Sequence, residues 1–164
     1  MKEPSWLAWA RTQIGVREVP GASSNSRILR YADKAKRFLG IAFNSDGTPW
    51  CGVFAAAAMV DAGYDPPLIA VRARSWAAWG QPITPRLGAV LVFVRSGGGH
   101  VGFYTGETET HFRVLGGNQA DSVSEMFIEK ARCIAVRWPR AAPVAFAPVR
   151  LPGVGSVPVS VNER

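Results

Sequence analysis

The sequence predicts an α+β domain, with helices first and an antiparallel meander afterwards. Apolar residues recur at helical spacing in the first half of the chain. After Pro85 the period drops to two, and Gly, Ser, Asn and Glu-Thr clusters bound the runs at hairpin spacing. The 164 residues, 48% hydrophobic and 19% charged, are enough for one domain with a core and too apolar for wholesale disorder.

Each element has its own signals. Ser5 is placed to cap a helix over residues 6–14, with Trp6, Leu7, Ala10 and Ile14 on one face and Gly15 as the stop. A turn-prone stretch over 20–25 follows. Ser24 or Ser26 then caps a second helix, where Ile28, Leu29, Ala32, Ala35 and Leu39 repeat up to Gly40. The loop over 44–49 delivers the chain into Trp50, Cys51 and a helix over 52–60 that is apolar all round, as a buried central helix is. Ser75 opens a short fourth helix closed by Gly80. Strands are expected over 88–94, 100–105 and 111–115, and a last hairpin over 122–128 and 132–138 turns at Glu129-Lys130. The domain is expected to occupy residues 1–139. Residues 140–164 carry four prolines without helical period and read as a Pro-rich tail or linker.

Several function classes fall away at this stage. No apolar run approaches the roughly 18–20 residues of a membrane span. Lys2, Glu3 and Pro4 do not begin a secretory signal, so the protein is expected to be made in the cytoplasm without a signal peptide. Nineteen Lys and Arg against twelve Asp and Glu give +7, which suits an anionic partner. The charge is dispersed, its densest stretch being Lys34-Ala35-Lys36-Arg37, and no nucleic-acid module accompanies it. Cys51 and Cys133 leave one disulfide open but form no CxxC pair. With His100 and His111 they lack zinc-ligand spacing, so no metal or cofactor is expected.

Cys51 stands where an apolar helix begins. A thiol there feels the positive end of the helix dipole and the free N–H groups, which favour the thiolate and can hold an oxyanion. His100 follows three glycines and opens a strand, well placed to take a proton from a thiol on a facing helix. Asn118 ends the next strand in Gly116-Gly117-Asn118-Gln119. If the two strands pair, position 118 falls beside position 100, and an Asn carbonyl can orient the imidazole. Cys133, inside an alternating strand, and His111, beside Thr110, read as structural and surface residues.

In order along the chain, Pro49-Trp50-Cys51-Gly52-Val53-Phe54, Gly88-Ala89-Val90-Leu91-Val92-Phe93, Gly99-His100-Val101-Gly102-Phe103-Tyr104 and Val114-Leu115-Gly116-Gly117-Asn118-Gln119 resemble the motifs of the CHAP and NlpC-type cysteine peptidases. Within these papain-like cell-wall hydrolases, the likeness is to a small phage and prophage endolysin-like subgroup, and it extends over nearly all of residues 5–139. The resemblance implies a papain-like α+β fold, N-terminal helices on an antiparallel sheet of about five strands. It implies hydrolysis of peptidoglycan amide bonds, with Cys51 as nucleophile, His100 as base and Asn118 as the polar third member. Gly116 stands where many CHAP domains carry an acidic residue. Trp50, Asp46 and Asn25 are expected to line the substrate groove. A monomer is expected, with bacterial peptidoglycan as partner, no nucleic acid, no stable membrane insertion, and release through a holin or a secretion machine. Two other uses fit the same motifs: a secreted antibacterial effector with the same chemistry, and a catalytically idle wall-binding or virion module.

Overall fold

In the computed structural model, which describes residues 2–163, three α-helices precede a six-stranded antiparallel sheet. Helix α1 (Ser5–Thr12) starts at Ser5, and Pro4 in extended conformation takes the cap position. The Pro4 carbonyl accepts from the Leu7 and Ala8 N–H groups. The helix stops before Ile14, which is 49% exposed, because the Gly15 N–H leaves it to donate to the Val123 carbonyl. Helix α2 (Ser26–Lys34) is capped by Asn25 rather than by a serine: the Asn25 side chain accepts from the Arg27 N–H. It also ends earlier than its apolar period. A separate 3-10 turn, Lys36–Phe38, brings Phe38 and Leu39 into the core.

Helix α3 (Cys51–Asp61) lies between α1 and α2 on one side and the sheet on the other, and every residue from Cys51 to Met59 is buried. Four consecutive alanines allow that close approach on all sides. Phe54 meets Trp9, Tyr31 and Phe103 in an aromatic cluster that clamps α3 between layers. Truncating such a fully buried phenylalanine to alanine costs about 3–5 kcal/mol. The expected fourth helix is a 3-10 segment, Ala73–Ala78, held by the buried Trp76, whose Nε1 donates to the Ala70 carbonyl.

The strands are β1 (Gln81–Pro82), β2 (Val90–Arg95), β3 (Gly98–Glu107), β4 (His111–Gln119), β5 (Ser122–Glu129) and β6 (Cys133–Trp138), ordered β1-β6-β2-β3-β4-β5. The sixth, unexpected strand is β1, two residues long and too short to leave a periodic signal. The expected hairpin of β5 with β6 does not form. β6 instead pairs with β1 and β2, and the 3-10 turn Lys130–Arg132 carries the chain across. On a flat sheet, β5 and β6 would be four strand spacings apart, roughly 19 Å at about 4.8 Å each. The short connection spans at most about 14 Å, so the sheet must curl on itself.

Residues 140–163 pack against this sheet and are no free tail. Val149 and Leu151 bracket Glu107 of β3 with backbone hydrogen bonds, and Pro158 and Ser160 do the same for Phe127 of β5. Phe146 packs on Trp138. The side chain of Glu107, nearly buried, accepts from Tyr104 Oη (2.8 Å) and Lys130 Nζ (2.5 Å) and pairs with Arg150 (3.0 Å). Among the described residues no helix is long and apolar enough to cross a membrane.

Candidate active site

Cys51 is the first residue of α3, and the side chain lines a cleft with 5% of its surface exposed. Its placement depends on Gly52. A Cβ there would run into the carbonyl oxygen of Ala70, with that of Val71 at 2.8 Å, so only glycine lets the helix start against this segment. His100 lies on β3, buried, opposite Phe93 of β2, whose ring stacks on the imidazole. Thiol and imidazole lie next to each other, close enough for each to shift the ionisation of the other.

The second imidazole nitrogen meets Gln119. His100 Nε2 and Gln119 Oε1 are 2.9 Å apart, and the Gln119 amide nitrogen donates to the carbonyls of Val114 and Ser124. Those two bonds fix which way the amide points. Its oxygen faces the ring, so Nε2 carries a proton and Nδ1 is left for the thiol.

Asn118 does not reach the imidazole. β3 and β4 do pair, and their register (Phe103 with Leu115) would set 118 opposite 100. The ladder of β4 with β5 is interrupted between Gly116 and Gln119, and Asn118 takes a left-handed φ of 60°. A bulge of this kind turns successive side chains to the other face, and Asn tolerates that backbone. The Asn118 side chain instead accepts from the Trp50 N–H (3.1 Å) and donates to Glu18 (3.0 Å). Trp50 Nε1 donates to the same Glu18 oxygen at 2.7 Å. Glu18 thus ties the helix start to the end of β4, and it arrives there because residues 15–18 pair with the beginning of β5.

Of the expected groove residues, Trp50 is fully buried beneath the site. Asp46, 1% exposed, spends Oδ2 on the backbone N–H groups of Val19 and Asn25, while Asn25 caps α2 and bonds the Arg17 carbonyl. These two residues brace the N-terminal loops and make no contact with the Cys51–His100 pair.

The electrostatics favour the charged form of that pair. Burial works against the Cys51 thiolate, but the proximity and positive charge of His100, with the Val101 and Gly52 backbone, hold the thiol below its ordinary range. For His100 burial likewise opposes charge. Cys51, then the Glu163 carboxylate and Gln119, outweigh it and raise the imidazole. Cys133, also a free thiol, has no such partner, and burial pushes it up. Glu18 is raised by burial, with Asp121 and Asp46 adding to the effect against the Trp50 hydrogen bond.

Glu163 comes from the segment expected to be a tail. Its side chain is fully buried and forked by Arg132, Nη1 to Oε1 at 2.9 Å and Nη2 to Oε2 at 2.5 Å, while Arg132 Nε donates to the Val94 carbonyl. Sequence reasoning missed Gln119, Glu18 and Glu163. Only Gln119 carried a signal, as the neighbour of Asn118 in a glycine-rich strand end where a bulge is common. No protein-family model and no curated protein matches the chain.

Proposed function

We propose that the protein is a papain-like cysteine amidohydrolase that cleaves amide bonds in peptidoglycan. The observation that carries this reading is the neighbouring Cys51 and His100 at the start of a buried helix, with Gln119 on the far side of the imidazole. The Cys51 thiolate attacks the amide carbonyl and forms a C–S bond, and backbone N–H groups at the helix start stabilise the oxyanion. Imidazolium His100 gives its proton to the nitrogen as the C–N bond breaks and the amine leaves. His100 then takes a proton from water, whose oxygen attacks the thioester. The C–S bond breaks, the carboxylic acid leaves, and the thiolate–imidazolium pair is restored. Gln119 holds the ring in the required tautomer throughout.

The substrate class rests on the ordered motifs described above and on the net charge of +7, which favours an anionic wall. An endolysin role, with release by a holin or a secretion machine, follows from the same motifs. Digestion of purified peptidoglycan by wild type and Cys51→Ala, read by mass spectrometry, tests the reading. Cys51-dependent fragments are expected, and their masses separate amidase from endopeptidase. Intact walls from several chemotypes, with folded and reduced enzyme, would overturn it in favour of a wall-binding module.

A further inference from the structure

Two clefts meet beside Cys51, sharing Pro49 and Arg95, and they differ in charge. One, of about 370 Å³, is lined by Glu18, Asn118 and Asp121. The other, of about 270 Å³, is lined by Cys51 together with Arg72, Arg74 and Arg95. Among the described residues none of these three arginines forms an ion pair.

Two of the arginines lie against the hairpin that presents His100, Arg95 by a hydrogen bond and the exposed Arg74 by its stem. The Arg74 stem lies across Gly99, where a Cβ would stand 3.2 Å from Arg74 Cγ. Arg95 Nε donates to the Gly99 carbonyl at 3.0 Å. Glycine at 99 therefore does more than make a turn: it lets Arg74 lie close over the backbone next to His100. A guanidinium with a packed stem loses less freedom when it binds, and its planar fork matches a carboxylate.

We propose that Arg72, Arg74 and Arg95 form an anion subsite that binds a carboxylate of the peptide being cleaved. The subsite selects stems whose carboxylate is free over stems in which it is amidated. This rests on the reading of Cys51 as the nucleophile, because the thiol lines the same cleft and so places the anion on the scissile peptide, away from a phosphate elsewhere in the wall.

The test uses two muropeptides that differ only in one carboxylate replaced by a carboxamide, with wild type and an Arg72→Ala/Arg74→Ala double variant. Wild type is expected to favour the carboxylate form at least about tenfold in kcat/KM, as a charge-assisted hydrogen bond would give. In the double variant that preference collapses through KM, the ratio of KM for the two peptides falling to about one. Equal rates in wild type, or a preference that survives in the double variant, would overturn the subsite and leave the hydrolase reading intact. Calorimetric binding of both peptides to Cys51→Ala gives a readout without turnover. Carboxylate-selective binding there, with no cleavage by wild type, would retain the subsite and remove the nucleophile.

Discussion

Gln119 Oε1 sits 2.9 Å from His100 Nε2, the place that simple strand pairing would give to Asn118. Gln119→Ala is therefore expected to slow hydrolysis by about tenfold or more. It also leaves the Val114 and Ser124 carbonyls without their donor, at a cost of about 1–3 kcal/mol. Asn118→Ala removes a bond to the helix start and is expected to cost activity less. Steady-state rates beside urea melts of both variants check this; a larger rate loss for Asn118→Ala would return the orienting role to that residue.

The lowered thiol and the raised imidazole shift the pair toward thiolate and imidazolium. Cys51 is expected to react with iodoacetamide well below the pH at which an ordinary thiol does. Cys133, raised by burial, supplies the internal contrast and reacts only at higher pH. His100→Ala removes the positive charge and moves the Cys51 profile upward. Peptide mapping after timed alkylation reads both thiols, and an unmoved Cys51 profile in His100→Ala would contradict the coupling.

Glu163 raises His100 from a buried position in the C-terminal segment. Glu163→Gln is expected to lower the imidazole, so the basic limb of the kcat/KM profile moves to lower pH. Removing one partner of a buried ion pair also costs about 3 kcal/mol, because Arg132 is left uncompensated. The pH profile separates the two effects, since lost stability alone does not move the limb.

Gly52 tests how tightly the helix start is held. Gly52→Ala drives a methyl group into two backbone carbonyls and is expected to cost about 3 kcal/mol. Gly153→Ala, where a Cβ meets nothing within 4 Å, is expected to leave the melting midpoint within about 0.5 kcal/mol of wild type. Chemical denaturation of the pair measures both.

Glu107 makes the packing of the C-terminal segment acid-sensitive. Burial raises its carboxyl, but hydrogen bonds from Lys130 and Tyr104 and the charge of Arg150 hold it below the ordinary value of 4.5. A depressed acid contributes stability that is fully present above its unfolded pKa and lost as the pH falls through the folded one. Thermal melts should therefore fall below pH 4.5 more steeply for wild type than for Glu107→Gln. Parallel curves would show that Glu107 carries no such linkage.

Much of the local structure could be read directly from residue order. The all-apolar run after Trp50 specifies a buried helix with Cys51 at its start, because no face of such a helix tolerates water. The alternating runs around 90–94, 100–105 and 111–115 specify β2, β3 and β4, and the pairing of the last two sets His100 near the end of β4. Asn25 and Asp46 carried polar signals that belong to a cap and a loop brace, which composition cannot tell from a groove.

Tertiary structure decided what depends on residues far apart in the chain. The bulge at 117–118 is a local change in φ that exchanges Asn118 for Gln119, and strict alternation cannot anticipate it. β6 pairs with β2 in place of β5, a choice between two partner strands that the alternating pattern of β6 does not distinguish. Pro-rich residues 140–163 have no period of their own, yet the unpaired backbone of Glu107 and Phe127 and the charge of Arg132 provide what binds them. The sequence by itself determined the buried helix, its thiol and the strand bearing the histidine; only packing decided which side chain faces the imidazole and which carboxylate stands behind it.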